Sequence, residues 1–234
     1  IDRLDSSEEC LEATAGGGVF SRPPCTIVAD NTAQFVGAIG ATTGAEVDIS
    51  RTIFRDNEAT DGDSVSGIRA TGVDTFPRTE VTVEGGLFYD NVGDRLFESS
   101  GRSTMTISFS TITDNSNDLA VVDGSATAGN TIFDLTTSIV ESPSGEIIRL
   151  SGGPDEVASA GCVIGDRSLN DSGFDPASFY SEVDPEFRDR AMDDYRPGSS
   201  SPAIDYCNDL ASPRFSGLDG GTRGVEWAGP VPEP

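Results

Sequence analysis

One short phrase, apolar at its third residue and ending in Asp-Asn, occurs four times along the chain: TIVADN at 26–31, TIFRDN at 52–57, GLFYDN at 86–91 and STITDN at 110–115. Ahead of the last three copies, apolar and polar residues alternate in VDIS, VTVE and MTIS. Alternation with a period of two is typical of strands that bury one face. Each repeat therefore predicts a half-buried strand followed by a tight turn.

The spacing of the phrases predicts the architecture. Successive Asn residues are 26, 34 and 24 residues apart. An apolar residue stands three positions before all four, and further apolar residues stand eight and ten positions before the last three. Apolar columns that return at such intervals indicate a solenoid, and strand repeats make it an all-β parallel β-helix whose rungs stack about 4.8 Å apart. The alternative, independent Asn turns in a β-sandwich, does not explain the shared columns.

The last two residues of the phrase predict two different columns. An inward Asn at a turn can bind the same amide one rung away, which predicts a structural ladder of Asn31, Asn57, Asn91 and Asn115. The residue before each then points outward, in a column of Asp30, Asp56, Asp90 and Asp114.

The outward Asp column needs relief from repulsion. Two like charges about 4.8 Å apart repel by about 0.9 kcal/mol even in water. Bound Ca²⁺ on the four Asp residues is the specific hypothesis for that relief. The alternative is solvent and diffuse counterions, together with splayed side chains or the nearby Arg55.

The repeat pattern weakens toward both ends of the chain. We expect β-helix rungs over residues 1–166, with Ser142 at the ladder position of a fifth rung. Turn-rich stretches at 58–67 and 93–104 are expected to lead to a third short strand in each rung. A loop-rich C-terminal cap packed on the helix is expected at 167–229, because solenoids need atypical ends to cover their core and edges. A Pro-rich tail follows at 230–234.

Charge limits the partners. Fifteen basic residues, all Arg, stand against forty acidic residues, for a formal net charge of −25 without any Lys or His. Such a surface repels phosphates and anionic lipid, so we expect no nucleic acid partner. It attracts cations, and a saline extracellular setting fits it. No apolar run is long enough to cross a bilayer, so we expect no membrane span in this chain.

The four cysteines predict two disulfides and export. They lie near the two ends of the chain without the short paired spacings of a zinc site. The economical pairing is Cys10 with Cys25 and Cys162 with Cys207, and oxidised pairs imply an extracellular compartment. The chain begins at Ile1 without Met or a signal peptide, which we interpret as a mature or trimmed product.

Candidate chemistry is sparse. The lack of His and Lys excludes Ser-His and Cys-His nucleophile pairs and a Lys base, so we assign no catalytic residue. Carboxylate chemistry stays open, with outward Glu46, Asp48, Glu80 and Glu84 as acids and Arg69, Arg95 or Arg149 as a base. Phe76, Tyr89, Phe97 and Phe109 are candidate stacking surfaces for a glycan, although such residues more often pack within rungs.

The last quarter carries a family resemblance. Its phrases are DPEF at 184–187, DYRPGSSSPAIDYCND at 194–209 and DGGTRGVE at 219–226. They are similar to the C-terminal cap of secreted bacterial right-handed parallel β-helix proteins, a group that overlaps the choice-of-anchor surface proteins. The serines are expanded here, and Cys207 stands at the usual Gly position and Val225 at the usual Ala. The resemblance implies that Asp205 and Arg223 are paired cap residues, and we expect Trp227 to cover the open end of the core.

The chain ends in GPVPEP, which resembles the start of the PEP-CTERM sorting signal; an ordinary Pro-rich linker is the alternative. With the cap resemblance, it implies a bacterial cell-surface or extracellular location. We therefore expect a non-enzymatic structural protein for adhesion, matrix or self-assembling filaments, with copies of itself or extracellular glycan as partners. Assembly through an open first rung would be head-to-tail. The alternative is a polysaccharide lyase or hydrolase, or a glycan-binding module, on the same fold.

Overall fold

The computed structural model describes residues 26–123, 131–141, 148–150, 156–165 and 180–204. These residues form nineteen strands and a single 3-10 turn at Arg190–Met192. In chain order the strands are β1 (Thr26–Ala29), β2 (Thr32–Ala33), β3 (Ile39–Thr42), β4 (Glu46–Ser50), β5 (Thr52–Arg55), β6 (Glu58–Ala59), β7 (Val65–Thr71), β8 (Thr79–Glu84), β9 (Leu87–Tyr89), β10 (Val92–Ser100), β11 (Ser103–Ser108), β12 (Thr111–Ile112), β13 (Ser116–Asp123), β14 (Thr131–Val140), β15 (Ile148–Leu150), β16 (Glu156–Gly165), β17 (Tyr180–Glu182), β18 (Phe187–Asp189) and β19 (Asp194–Pro197).

The strands stack into a β-solenoid of about four turns, which confirms the predicted parallel β-helix. A first sheet of ten strands and a second sheet of seven strands are parallel throughout, and only the β18–β19 pair is antiparallel. We call β4, β8 and β11, with the start of β14 and β16, the leading half of the first sheet. The trailing half consists of β1, β5, β9 and β12, with the end of β14 and β16, and β17.

The apolar columns seen in the sequence fill the interior. In the leading half, Val81 lies between Val47 and Met105, and Val83 lies between Ile49 and Ile107. In the trailing half, Val28, Phe54, Phe88 and Ile112 occupy one register position on successive strands. The rings of Phe54 and Phe88 stack at a centroid distance of 4.6 Å, with an interplanar angle of 2°.

A left-handed residue bends the chain between the two halves of the first sheet. It recurs in every described rung, with φ between 47° and 68°, at Arg51, Gly85, Phe109, Thr137 and Cys162. A positive φ turns the strand sharply within one residue while the ladder resumes on the other side. The residue types share no sequence feature, so this corner is imposed by the stacking of the rungs.

Two features differ from the sequence expectation. Residues 93–104 were expected to be turn-rich, yet β10 runs for nine residues, from Val92 to Ser100. The sequence hides this strand because its charged residues Arg95 and Glu98 are buried as an ion pair, at 8% and 3% exposure. In addition, β17 pairs in parallel with β16, so the first sheet reaches residue 182, past residue 166.

In the part of the chain that the structure describes, no helix is long and apolar enough to cross a bilayer.

Candidate functional site

The four Asn residues of the repeated phrase form a continuous column of amides, the Asn ladder. Each Nδ2 donates to the Oδ1 of the Asn one rung on, at 2.8, 2.9 and 2.9 Å. The same Oδ1 atoms accept the backbone N–H of the preceding Asn, at 3.4, 3.2 and 3.1 Å. The Nδ2 atoms of Asn57, Asn91 and Asn115 also donate to carbonyl oxygens of the preceding rung. The ladder therefore bonds each turn to the neighbouring turn. Ser142, expected to continue the ladder, lies outside the described residues.

The four Asp residues before the ladder form the Asp column. All adopt the left-handed region, with φ of 57°, 53°, 53° and 50°. Asp and Asn are the non-glycine residues that tolerate this conformation best. The invariant Asp-Asn of the phrase thus has a local reason, because Asp makes the left-handed bend and Asn turns inward onto the ladder.

A C-terminal hairpin packs beside the Asp column on the outer face of the trailing half. We call residues 187–197 the strap, and the outward side chains of Ile27, Ile53, Leu87 and Tyr89 the seat. The rings of Tyr195 and Tyr89 are 5.1 Å apart, and those of Phe187 and Tyr195 are 5.6 Å apart. Ile27, Ile53, Tyr89 and Tyr195 are between 4% and 8% exposed and form one apolar cluster. The strap therefore buries the outward apolar residues of three rungs.

Arg190 of the strap provides positive charge at one end of the Asp column. Its Nη2 forms an ion pair with Glu141 Oε2, lies 3.5 Å from Asp114 Oδ1, and donates to Thr113 Oγ1 at 2.8 Å. Thr113 Oγ1 in turn donates to Glu141 Oε2 at 2.5 Å. Glu141 is only 6% exposed. A buried carboxylate of this kind is costly unless it is paired, so Arg190 makes its burial possible.

Tyr195 of the strap also contacts the Asp column. Burial and the negative charge of Asp114, to which its phenol is hydrogen-bonded, raise the pKa of Tyr195 above its ordinary value. The phenol is 3.5 Å from Asp193 Oδ1 as well. At neutral pH the hydroxyl is protonated and can donate to a carboxylate. Arg190, Tyr195 and Arg55, which is 2.5 Å from Asp56, thus relieve part of the repulsion along the column.

Asp90 is the member of the column whose charge is least favoured. Desolvation, and then repulsion from Asp56, Asp193 and Asp114, raise its pKa above 3.8. A carboxyl whose pKa is raised in the folded state is stabilising below its unfolded pKa, and that contribution is lost as the pH rises through the folded pKa.

Asp90→Asn is therefore expected to stabilise the protein at neutral pH, by about 0.5 kcal/mol. Asn keeps the left-handed bend and removes the repulsion. The gain should shrink as the pH falls toward 3.8, because Asp90 of the wild type is then protonated. Thermal unfolding of both proteins across this pH range measures it. Asp56→Asn is the matched control, since it removes an ion pair with Arg55 and should not stabilise. Destabilisation by Asp90→Asn at neutral pH would contradict the interpretation.

Ca²⁺ binding by the Asp column stays a prediction. Among the described residues, no three Cys, Asp or Glu side chains group closely enough to hold a metal ion.

The outward acids of the leading half lie apart from the candidate bases. Glu46 is paired across the strands with Glu80, Asp48 with Thr82, and Ser50 with Glu84, on an open face. Arg69, Arg95 and Arg149 lie in the second sheet.

Glu98 engages two of those arginines. Its Oε1 is 2.9 Å from Arg69, and its Oε2 is 3.0 Å from Arg95, which also binds Asp63 at 2.7 Å. The structure therefore does not bring the candidate acids of the leading half together with the candidate arginine bases.

Three of the four candidate stacking aromatics are buried. Phe97, Phe109 and Tyr89 are 0%, 7% and 6% exposed, so they cannot offer a ring to a glycan on this surface. Phe97 and Phe109 pack into the rungs, and Tyr89 lies under the strap. Phe76, in the loop after β7, is 48% exposed.

Several predicted residues lie outside the described part of the chain: Cys10, Cys25, Cys207, Asp205, Arg223, Trp227 and the tail at 230–234. Cys162 is described, is 6% exposed, and stands at the left-handed corner. Both disulfide pairings and the Asp205–Arg223 pair stay predictions.

Sequence reasoning missed the strap residues Arg190, Asp193 and Tyr195, and Glu141 beneath them. Thr113 and Arg190 are 77 residues apart, so no local pattern joins them. One signal was available: Ile27, Ile53 and Leu87 are apolar at positions that alternation points outward, which indicates a covered face.

Comparison of the chain with family models, with curated proteins and with solved structures finds no match.

Proposed function

We propose that this chain is a non-enzymatic structural protein of the bacterial cell exterior, acting as a stiff acidic rod in adhesion, in a matrix or as a filament subunit. The observation that carries the proposal is how its polar side chains are used. Asn57, Asn91 and Asn115 join rungs, Glu98 joins two arginines, and Glu141 is paired with the strap. Each of these buried groups joins one rung to another or joins the rungs to the strap.

Stiffness follows from the same contacts. Parallel ladders on the first and second sheets join each rung to the next, and the strap spans several rungs from outside. Solenoids of this kind behave as one-dimensional rods whose faces present regular columns. The net charge of −25 keeps such rods apart at low salt and lets cations or salt bring them together. The resemblance of the C-terminal phrases to surface-protein caps supports an exported location, as do the two predicted disulfides.

The test combines turnover with electron microscopy. The purified chain is incubated with acidic and neutral polysaccharides, and new unsaturated or reducing ends are measured. It is also imaged at marine salt with Ca²⁺ and with EDTA. We expect no turnover, and rods or ordered assemblies whose association increases with salt. Turnover of any polymer would overturn the non-enzymatic proposal. A melting temperature that is the same in Ca²⁺ and EDTA would separately exclude Ca²⁺ on the Asp column.

A glycan-binding module is the second candidate, and one observation favours it. The exposed ring of Phe76 lies two residues before Arg78 in sequence, and Arg78 Nη1 donates to Thr104 Oγ1 at 3.3 Å on the open face of the leading half. An aromatic ring, an arginine and hydroxyl groups are a suitable set for a sugar. Binding of a polysaccharide that is lost in Phe76→Ala, without turnover, would favour this candidate over a purely structural role.

A further inference from the structure

The strap is bonded mainly within itself. Phe187 pairs with Pro197 and Asp189 with Asp194 in antiparallel register. Arg196 Nε donates to Asp194 Oδ1 at 2.6 Å, and just beyond the two ends of the strap the N–H of Gly198 donates to Glu186 O at 2.7 Å. These bonds do not involve the rungs, so they can persist when the strap leaves its seat.

The seat is built by the rungs alone. β5 is paired with β1 on one side and with β9 on the other, and the inward Phe54 and Phe88 stack in the core beneath. This support does not depend on the strap. If the strap left, Ile53 and Tyr89 would be exposed to water, and exposing apolar surface is unfavourable. The seat therefore keeps its shape and favours an occupant.

Both attraction and repulsion act where the strap meets the Asp column beside the seat. Arg190 attracts Glu141 and Asp114, and the phenol of Tyr195 donates to Asp114. Against this, Asp193 of the strap adds negative charge next to Asp90 and the rest of the Asp column. Much of the polar attraction thus depends on Arg190, which is 45% exposed and accessible to water.

Connectivity determines where a released strap can go. Residues 183–186 alone join β17 to the strap, and four residues span at most about 14 Å. A released strap can therefore reach only a seat on a molecule that lies against the same face. Reciprocal exchange between two such molecules uses the same surface on both and closes as a two-fold dimer.

We propose that the strap is an exchangeable docking element, and that the seat's partner surface is the strap of a second copy of this chain. The inference goes beyond the proposed function, because it holds whether the rod is structural or binds glycan. In a single molecule the short link favours the strap's own seat, at an effective concentration of about millimolar. Exchange is therefore expected where copies are crowded, as on a coated surface.

Charge reversal at one contact tests the proposal. Arg190→Glu changes the strap and leaves the rungs unchanged, whereas Glu141→Arg changes the rung residue that Arg190 meets beside the seat. In each variant alone, positions 190 and 141 of one molecule carry charges of the same sign and repel each other. In a mixed pair both exchanged contacts are matched, because Arg190 meets Glu141 on one side and the two introduced residues meet on the other. The mixture should give a particle of twice the monomer mass in sedimentation velocity, at micromolar concentration where each variant alone is a monomer.

The controls separate exchange from non-specific attraction. The double variant is matched within one molecule and should stay monomeric. Arg188→Glu makes the same charge change elsewhere on the strap, where Arg188 Nε donates to Pro197 O. Its mixture with Glu141→Arg should also stay monomeric. The chain has no Lys, so trypsin cuts after Arg only. Cleavage after Arg188, a strap site that both proteins keep, should be faster in Glu141→Arg than in the double variant.

A mixture of the two single variants that stays monomeric, while circular dichroism shows both folded, overturns the proposal. If either variant does not fold, the wild type provides a second measurement. Its sedimentation at rising concentration, after brief warming to detach the strap, should show a monomer–dimer equilibrium. A wild type that is monomeric throughout overturns the proposal equally.

Discussion

Asn91→Ala is expected to lower the free energy of unfolding by about 3–5 kcal/mol. This loss should be larger than that of Asn31→Ala at the end of the described Asn ladder. Asn91 is fully buried. Its Nδ2 donates to Asn115 Oδ1 at 2.9 Å and to Phe54 O and Tyr89 O at 3.0 Å. Its Oδ1 accepts from the side chain and backbone of Asn57, at 2.9 and 3.2 Å.

The loss should be large because Ala leaves several buried groups without partners at once. The amide of Asn57 loses its acceptor, and Asn115 Oδ1 loses a donor on the other side. Each unsatisfied buried group costs about 1–3 kcal/mol, and Asn57 and Asn115 are themselves only 0% and 3% exposed. Urea unfolding followed by circular dichroism measures the change.

Asn31→Ala is the matched control. Asn31 belongs to the same ladder and its Nδ2 donates to Asn57 Oδ1 at 2.8 Å, but it is half-buried and, within the described ladder, is bonded to one Asn where Asn91 is bonded to two. We expect a loss of about 1 kcal/mol. Equal losses at the two positions would mean that the ladder bonds add nothing beyond their local turns.

Phe88→Ala is expected to cost about 3–5 kcal/mol as well, for a different reason. Phe88 is fully buried, stacks on Phe54, and meets Phe97 edge-on at 4.9 Å. Removing its ring leaves a cavity that neighbouring strands, fixed by their parallel ladders, can fill only in part. The two aromatic contacts add about 0.5–1.5 kcal/mol each beyond burial.

Two further variants delimit this prediction. Phe88→Leu fills part of the volume and should cost less than Phe88→Ala, because the aromatic contacts are lost but most apolar burial is kept. Phe76→Ala removes a ring that is 48% exposed and should change stability by no more than about 0.5 kcal/mol. The same urea unfolding measures all three. A loss at Phe76 as large as at Phe88 would contradict the assignment of the core.

Local repetition made the solenoid predictable. The alternation in VDIS, VTVE and MTIS predicts which side chains face inward, and the constant offset from each Asn predicts which residues stack. Val81 on Val47 and Phe88 on Phe54 follow from that offset alone. A stacked repeat has contacts only with its neighbours, so a pattern within one rung carries most of the information about the next.

Residues 93–104 show where that reasoning fails. Arg95 and Glu98 are charged, and charged residues usually predict an exposed turn. In the structure they pair with each other, Glu98 also pairs with Arg69 of another rung, and β10 runs through both. Pairing removes most of the cost of burying a charge, and it depends on a partner from another rung.

By itself the sequence determined the all-β class, the parallel rungs, the inward apolar columns and the position of the repeated Asp-Asn. These depend on periodicity and on neighbours one repeat away. Only the tertiary structure decided that the outward Ile27, Ile53 and Tyr89 are covered, and that Arg190 meets Glu141 and Asp114. The strap crosses the rungs instead of repeating with them, so its contacts join residues as far apart as Thr113 and Arg190. No periodic pattern encodes a contact that the chain makes only once.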